Sequence, residues 1–474
     1  MRKTYIADGL QQYLDAEHKI WHMPGHKRKP VFDKTGDVCS RLDAVMAYDV
    51  TEVPGTDDLY EPEGFIRDSL MQLKEIYGTY GSYYVVNGAT GGIFSAIYAC
   101  TSRGDTVIMA KNCHKSVYNA VRVLGLTPVY VHPVWEMQDK CEVNTRLEQP
   151  DASEYGQIMI PSGLIDGYID AAKVEQLCIE HPQATAIIIT SPTYDGVVSD
   201  IRSISLIAQK YDKYLIVDEA HGAHLPFLMP SLSAISMGAD IVVQSLHKTL
   251  PALTQTALLH VCTEALREKT EASLSMFLSS SPSYIMLMSM DQAICYAANQ
   301  DKTAYMQILK EFRDRCKALS QIRILDTETV KAAGAYGYDE TRLVFYADVP
   351  GPRLLEELEK AGDIVCEMAG ERHVVMISTM VDEKADFDGL YDALCCVDEK
   401  LAGGEVYKSN SGMEAGEKQA EDAGLRSRIG TKAEEPIYVY PPGSYIVEAG
   451  EVITEQAVEK ILCCKAAGLR VRGI

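Results

Sequence analysis

The sequence predicts an α/β fold, a mainly parallel sheet covered by helices, with smaller α/β regions after it. Two observations carry that expectation. Between about residue 80 and residue 265, short β-branched or apolar runs alternate with segments of helical pattern. Such alternation implies right-handed βαβ crossovers. Two of the runs, Tyr214–Asp218 and Asp240–Gln244, are continuous apolar stretches of the kind buried on both faces of a sheet. Each leads directly into residues able to do chemistry.

In chain order, residues 1–60 are rich in Gly, Pro and charge and poor in periodic apolar pattern. Trp21, His22, Met23 and Pro24-Gly25-His26-Lys27 nevertheless read as an arm that docks on something. A large domain is expected over residues 61–320. Its strands are Tyr83–Val86, Thr106–Ala110, Val129–His132, Thr185–Thr190, Tyr214–Asp218, Asp240–Gln244 and Ala257–Val261. Helices fall at Gly92–Ala99, Ser116–Leu124, Ala171–His181 and Ile201–Tyr211, and further helical patterns cover Ser283–Asn299 and Thr303–Leu319. A small α/β domain is expected over residues 321–402. It has strands near Leu343–Ala347, Ile364–Ala369 and Val374–Ser378 and helices near Arg353–Ala361 and Asp388–Leu401. Residues 403–435, rich in Gly, Lys, Glu and Ser, read as a linker or exposed loop. Residues 436–474 close the chain with a helix near Glu455–Ala467.

A length of 474 residues exceeds one ordinary core and suggests about three domains. With 47% hydrophobic and 24% charged residues, the composition is that of a soluble globular protein. No apolar run approaches the roughly 20 residues that span a bilayer, and the first residues lack the apolar core of a signal peptide. The expected setting is the cytoplasm. A net charge of −22 argues against nucleic acid or an anionic membrane as partner. It suits a cationic small substrate, or simply a solubilising surface. The 13 cysteines form no Cys-x-x-Cys pair, so they read as reduced core thiols, and no metal site is expected.

Ligands of open α/β sheets sit at the carboxyl ends of the strands. Asp218 falls there, as do Ser245, His247 and Lys248. An acid at one strand end and a lysine at another is what pyridoxal 5′-phosphate (PLP) requires. The lysine holds the aldehyde as a Schiff base, and the acid keeps the pyridine nitrogen protonated. Taken alone, Lys248 is more readily an ordinary surface lysine after a strand, and the rest of the chain reverses that. Asn87-Gly88-Ala89-Thr90-Gly91-Gly92 lies between a strand and a helix, where small residues let backbone N–H groups approach a phosphate. Its spacing is neither that of a dinucleotide fingerprint nor of a Walker loop. His114, in Asn112-Cys113-His114-Lys115-Ser116, can stack on a pyridine ring or cap a helix. Thr190–Gly196 can donate to the ring's phenolic oxygen or be plain turn chemistry. No nucleophile elbow is present. Four loops at one sheet edge make sense together around one phosphorylated ring.

At this point the residues resemble a known family, the Orn/Lys/Arg decarboxylases of the fold-type I, aspartate aminotransferase-like PLP enzymes. The resemblance rests on Met23-Pro-Gly-His-Lys27, Asp49-Val-Thr-Glu52, the acidic segment Gly55–Gly64, Asn112–Ser116, Asp218-Glu-Ala-His221, Ser245-Leu-His-Lys248 and Tyr440-Pro-Pro-Gly443. These span nearly the whole chain in family order. The resemblance implies Lys248 as the Schiff-base lysine, Asp218 on the pyridine nitrogen and His114 stacked on the ring. Ala89, Thr90, Gly91, Ser245 and His247 would hold the phosphate. Asp57 and Asp58 would lie near a site shared between the subunits of a homodimer and meet the substrate's distal cation. His221 is counted among the residues around the ring, although larger family members carry Trp there. Those members also carry an extra N-terminal receiver-like domain, and this chain is expected to be of the short form that starts with the arm.

The expected reaction is loss of the α-carboxylate of arginine, lysine or ornithine, with His247 or Lys248 returning a proton to Cα. The alternative on the same fold is an aminotransferase, which needs an arginine clamp such as Arg342. A catalytically silent homologue that acts by binding is the other class of reading.

Overall fold

The computed structural model describes residues 1–16, 18–29, 42–134, 165, 167–404, 424–439, 444–466 and 468–474. Its largest sheet has seven strands. These are β1 (Gly81–Val85), β2 (Thr106–Ala110), β3 (Thr127–Val131), β4 (Ala184–Thr190), β6 (Tyr214–Asp218), β7 (Ile241–Ser245) and β8 (Ala257–Val261). Across the sheet the order is β1-β8-β7-β6-β4-β2-β3. From β3 to β7 every pairing is parallel. β8 runs antiparallel to both β7 and β1, so the sheet is mixed at one end. The runs Ile187–Ile189, Leu215–Val217 and Ile241–Val243 are fully buried, as strands covered by helices on both faces must be.

The helices Gly88–Cys100, Lys115–Leu124, Ala171–Glu180 and Ile201–Lys210 fill the crossovers. The helices Gly88–Cys100 and Lys115–Leu124 start within a few residues of the ends of β1 and β2. Asp170 and Asp200 cap theirs with side-chain oxygens, and His114 caps a third through its ring nitrogen. Gly88, at φ +69°, adopts the left-handed turn that lets β1 pass directly into a helix.

A two-residue strand, β5 (Val197–Val198), pairs with β10 (Gly337–Tyr338) and ties the large sheet's loops to the later chain. There β9 (Arg323–Ile324), β11 (Arg342–Tyr346), β12 (Met368–Ala369) and β13 (His373–Ile377) form an antiparallel sheet in the order β12-β13-β11-β9. Of the strand expected over Ile364–Ala369, Met368–Ala369 alone forms. A third sheet joins β14 (Ile437–Val439), β15 (Ser444–Val447) and β16 (Val471–Arg472) in the order β15-β14-β16.

Two segments differ from expectation. Residues 5–15 form a helix whose Ile6, Leu10 and Tyr13 are buried against Ile66, Leu73, Tyr284 and Leu287. Burying Ile6 and Leu10 is worth about 1.5–3 kcal/mol each, which fastens the start of the arm to the body. Further along, Trp21 is 91% exposed and Met23 66% exposed, so they dock on nothing among the described residues. The segment expected as a linker is also packed in part. Leu425 and Ala433 are buried with Ile437, Val447, Val458 and Ile461, because apolar residues are interspersed among its charges. Tyr440-Pro-Pro-Gly443 and residues 405–423 lie outside the described residues. Among the described residues no helix is long and apolar enough to cross a membrane.

Candidate active site

The register that pairs Asp218 with Val243 brings the carboxyl ends of β6 and β7 to one edge of the sheet. A cavity of about 270 Å³ opens there. Ala89, Thr90, His114, Asp218, His221, Ser245, His247 and Lys248 all line it, so the structure gathers eight of the eleven residues singled out from sequence. Gly91 lies one step behind, in the first turn of the helix. A Cβ there would come within 2.9 Å of both Asn87 and Leu278, so only glycine lets the turn sit this close. Asp57 and Asp58 do not line the cavity in this chain.

Lys248 sits in a single helical turn, Leu246–Thr249, directly after β7. Its Nζ lies 3.0 Å from Nε2 of His221. Burial pushes its pKa down from the ordinary lysine value; Asp218 and Glu367 oppose that shift, and Arg342 adds to it. Asp218 is buried and accepts the N–H of Ala220 at 3.1 Å. His114 accepts the N–H of Ser116 at its Nδ1, 3.2 Å away. It therefore both caps its helix and faces the cavity. Burial lowers its pKa, so it is a neutral ring with the proton on Nε2. His247 donates from Nδ1 to the Thr256 carbonyl at 3.1 Å. Burial lowers its pKa as well, which leaves Nε2 with a lone pair.

The first turn of the helix Gly88–Cys100 leaves backbone N–H groups without intrahelical partners. Ala89 and Thr90 bring them to the cavity beside Ser245 and His247, a set that suits a phosphate. Asn112 Oδ1 is buried in the cavity wall with no hydrogen-bond partner among the described residues, and such groups mark a place for a ligand. Lysine, carboxylate, stacking imidazole, phosphate donors and an orphaned acceptor together fit PLP.

Three residues behave differently from their sequence reading. Asp57 accepts the backbone N–H groups of Asp58, Glu63, Gly64 and Ile66 at 2.8–3.0 Å. It closes its own turn and caps the helix Phe65–Tyr77, whose N-cap position is glycine. Asp58 accepts from Tyr60 N at 2.8 Å. Arg342 is fully buried behind His221 and does not line the cavity. It donates to His221 Nδ1 at 3.1 Å and to the His221 carbonyl at 3.0 Å. Sequence reasoning passed over Glu367. Its carboxylate is exposed, accepts from the hydroxyl of the cavity residue Tyr194 and favours the charged form of Lys248. No local pattern ties Glu367 to Lys248, because the contact is made by a turn of chain far along the sequence.

Comparison with known proteins settles the kinship. The model of the family described as Orn/Lys/Arg decarboxylase, major domain, matches residues 4–351. The chain belongs to that family. It is 28% identical to an arginine decarboxylase of Bacillus subtilis (strain 168) over 99% of this chain and 95% of that one. In structure it resembles the lysine decarboxylase LdcF of Francisella novicida with a TM-score of 0.78 at 16% identity, covering 99% of this chain and 79% of the other. An SPT solved with PLP shares the fold at a TM-score of 0.52 and 12% identity, over 71% of this chain and 77% of that one. The fold is therefore the fold-type I, aspartate aminotransferase-like α/β fold, and family membership supports amino-acid decarboxylation.

Proposed function

We propose that this chain removes the α-carboxylate of a basic L-amino acid, arginine, lysine or ornithine, with PLP held at Lys248, and releases CO2 and the corresponding amine. The convergence of Lys248, Asp218 and His114 on one cavity, in a chain of the Orn/Lys/Arg decarboxylase family, carries this reading. When bound, PLP supplies a ring that accepts the electron pair left by the departing CO2. Lys248 would hold its aldehyde. Asp218 would keep the pyridine nitrogen protonated through a charge-assisted bond in a dry site. His114, neutral and fixed by Ser116, would lie against the ring. The N–H groups of Ala89 and Thr90 and the Ser245 hydroxyl would hold the phosphate, joined by His247 once its Nε2 carries a proton, while the Gly91 N–H is spent on the Asn87 carbonyl. His247 Nε2 is free to accept a proton and return it, and Lys248 Nζ is the second group able to protonate Cα.

The hydrogen bonds of Asp57 favour a structural role for it within its own chain, so Glu367 is the better acid for the substrate's distal cation. The exposure of Trp21 and Met23 supports a homodimer in which the arm covers a neighbour, and the chain's composition supports a cytoplasmic setting. An aminotransferase is disfavoured because Arg342, the candidate carboxylate clamp, is fully buried behind His221 and does not line the cavity. Product analysis of the purified chain with PLP and each of the three amino acids is the test. CO2 with an equal amount of amine is expected, and formation of a keto acid would overturn the proposal.

A further inference from the structure

Arg342, His221 and Lys248 form a line of three nitrogen groups that leads out of the protein interior into the cavity. Arginine can only donate hydrogen bonds, so the 3.1 Å contact with Arg342 requires a lone pair on His221 Nδ1. A second Arg342 contact, to the His221 carbonyl at 3.0 Å, holds the guanidinium against the same residue and fixes that polarity. An imidazole with a lone pair on Nδ1 is neutral and carries its proton on Nε2. That Nε2–H then points at Lys248 Nζ, 3.0 Å away. An ammonium has no lone pair with which to accept it. The chain of donors is consistent only with an uncharged lysine.

We propose that Arg342 locks His221 as the Nε2–H tautomer, and that His221 thereby acts as a positioning residue that holds Lys248 as a free amine aimed into the cavity. The inference rests on the reading of Lys248 as the cofactor-bearing residue. The same device matters there, because only the uncharged amine condenses with an aldehyde. In that step a C=N bond forms, and the carbonyl oxygen leaves as water with both amine hydrogens.

The surroundings agree. Burial, Lys248, Arg342, His114 and His224 all disfavour the charged imidazolium of His221. Lys248 itself is faced by Asp218 from the end of β6, by Glu367 from the later sheet region and by Arg342 from β11. It also feels His114 at its helix start and has His247 beside it in the chain. The two carboxylates pull Lys248 toward the ammonium, burial and Arg342 outweigh them, and the His221 donor acts in the same direction as burial. Tyr194, 4.6 Å from the His221 ring, closes the imidazole's other side. Gly196 makes room for the arginine, since a Cβ there would meet the Arg342 side chain at 2.8 Å.

The test is the pH dependence of Lys248 acetylation by acetic anhydride in the full-length chain, read on the peptide that carries Lys248. This measurement needs neither PLP nor turnover. The wild-type residue should react at neutral pH at least tenfold faster than exposed lysines. His221→Phe and Arg342→Met should each slow it at least tenfold and move its midpoint upward. His221→Gln, whose amide can still donate to Nζ, and Arg342→Lys should each stay within about threefold of wild type. A loss with Arg342→Met but not with His221→Phe would mean that charge alone acts, and the proposal would fall. Nitrogen-15 NMR of histidine-labelled wild-type chain gives a second check that no folding defect can blur. A protonated Nδ1 on His221 would overturn the proposal. Failure of wild-type chain to capture PLP while Lys248 stays reactive would instead reject the functional reading alone.

Discussion

The turn at Asp57 and the cavity at Lys248 are both rich in charge, yet they use it in opposite ways. At the turn, the two Asp57 oxygens receive four backbone N–H groups. Such a carboxylate has little capacity left for a ligand, and its value lies in folding. At the cavity, Asp218 receives a backbone bond from Ala220, Asn112 Oδ1 has no partner among the described residues and Lys248 is pressed toward its uncharged form. Unspent hydrogen-bonding capacity, more than residue type, separates a group that can act on a ligand from one that holds the chain.

That contrast can be broken at its strongest point first. Lys248→Ala should abolish both the visible absorbance of bound PLP and decarboxylation, since among the described residues no other one lining the cavity carries a primary amine. Retention of both in the purified variant would remove the cavity from consideration. Asp218→Asn should still bind PLP but lose turnover by roughly 10²–10³, the cost of removing one preorganised electrostatic partner. Single-turnover kinetics with near-wild-type rates would assign the ring nitrogen to another group.

A paired substitution sharpens the comparison. Asp57→Ala should lower stability by about 1–2 kcal/mol, because it strips the cap from the helix Phe65–Tyr77 and leaves N–H groups unpaired. Its effect on KM within a folded protein should be small. Glu367→Gln should do the reverse, raising KM for the cationic amino acid about tenfold while leaving the unfolding midpoint nearly unchanged. Urea melts and initial rates on the same samples distinguish the two. If KM responds to Asp57→Ala and not to Glu367→Gln, the acidic turn serves the site after all, through a neighbouring subunit.

Much of this was legible in the sequence. β4, β6 and β7 are unbroken apolar runs, and their polar ends gave Asp218, Ser245 and Lys248 directly. The helix Phe65–Tyr77 and the arm helix carry the right spacing too, Ile6–Leu10–Tyr13 and Ile66–Leu73–Tyr77, but Gly9 and the surrounding charges dilute it. Glu367 and the engagement of Arg342 with His221 were out of reach. Both depend on the later sheet folding back against the large one, a long-range event with no local signature. For Asp57, residue type alone could not separate a cap from a ligand, and the hydrogen bonds of one turn favour the cap.

Asp291 gives the smallest and most discriminating test, because it combines the role of Asp57 with deeper burial. Its Oδ2 accepts the N–H of Ile6 at 3.0 Å, capping the arm helix, and its Oδ1 accepts from Ser69 Oγ at 2.7 Å. Burial outweighs these bonds and raises its pKa from 3.8 to about 6. The folded state therefore binds this proton more tightly than the unfolded chain does. The stability it confers is complete below the ordinary value and is lost as pH rises through about 6. Asp291→Asn keeps an acceptor for Ile6 N and offers Ser69 an amide donor, so it mimics the protonated acid. Relative to wild type, its thermal midpoint should rise by a few degrees as pH increases between about 4 and 6 and stay level above that. A difference that is flat with pH would mean that Asp291 does not titrate in this window. One that shrinks as pH rises would mean that the capping bonds of the carboxylate outweigh burial here.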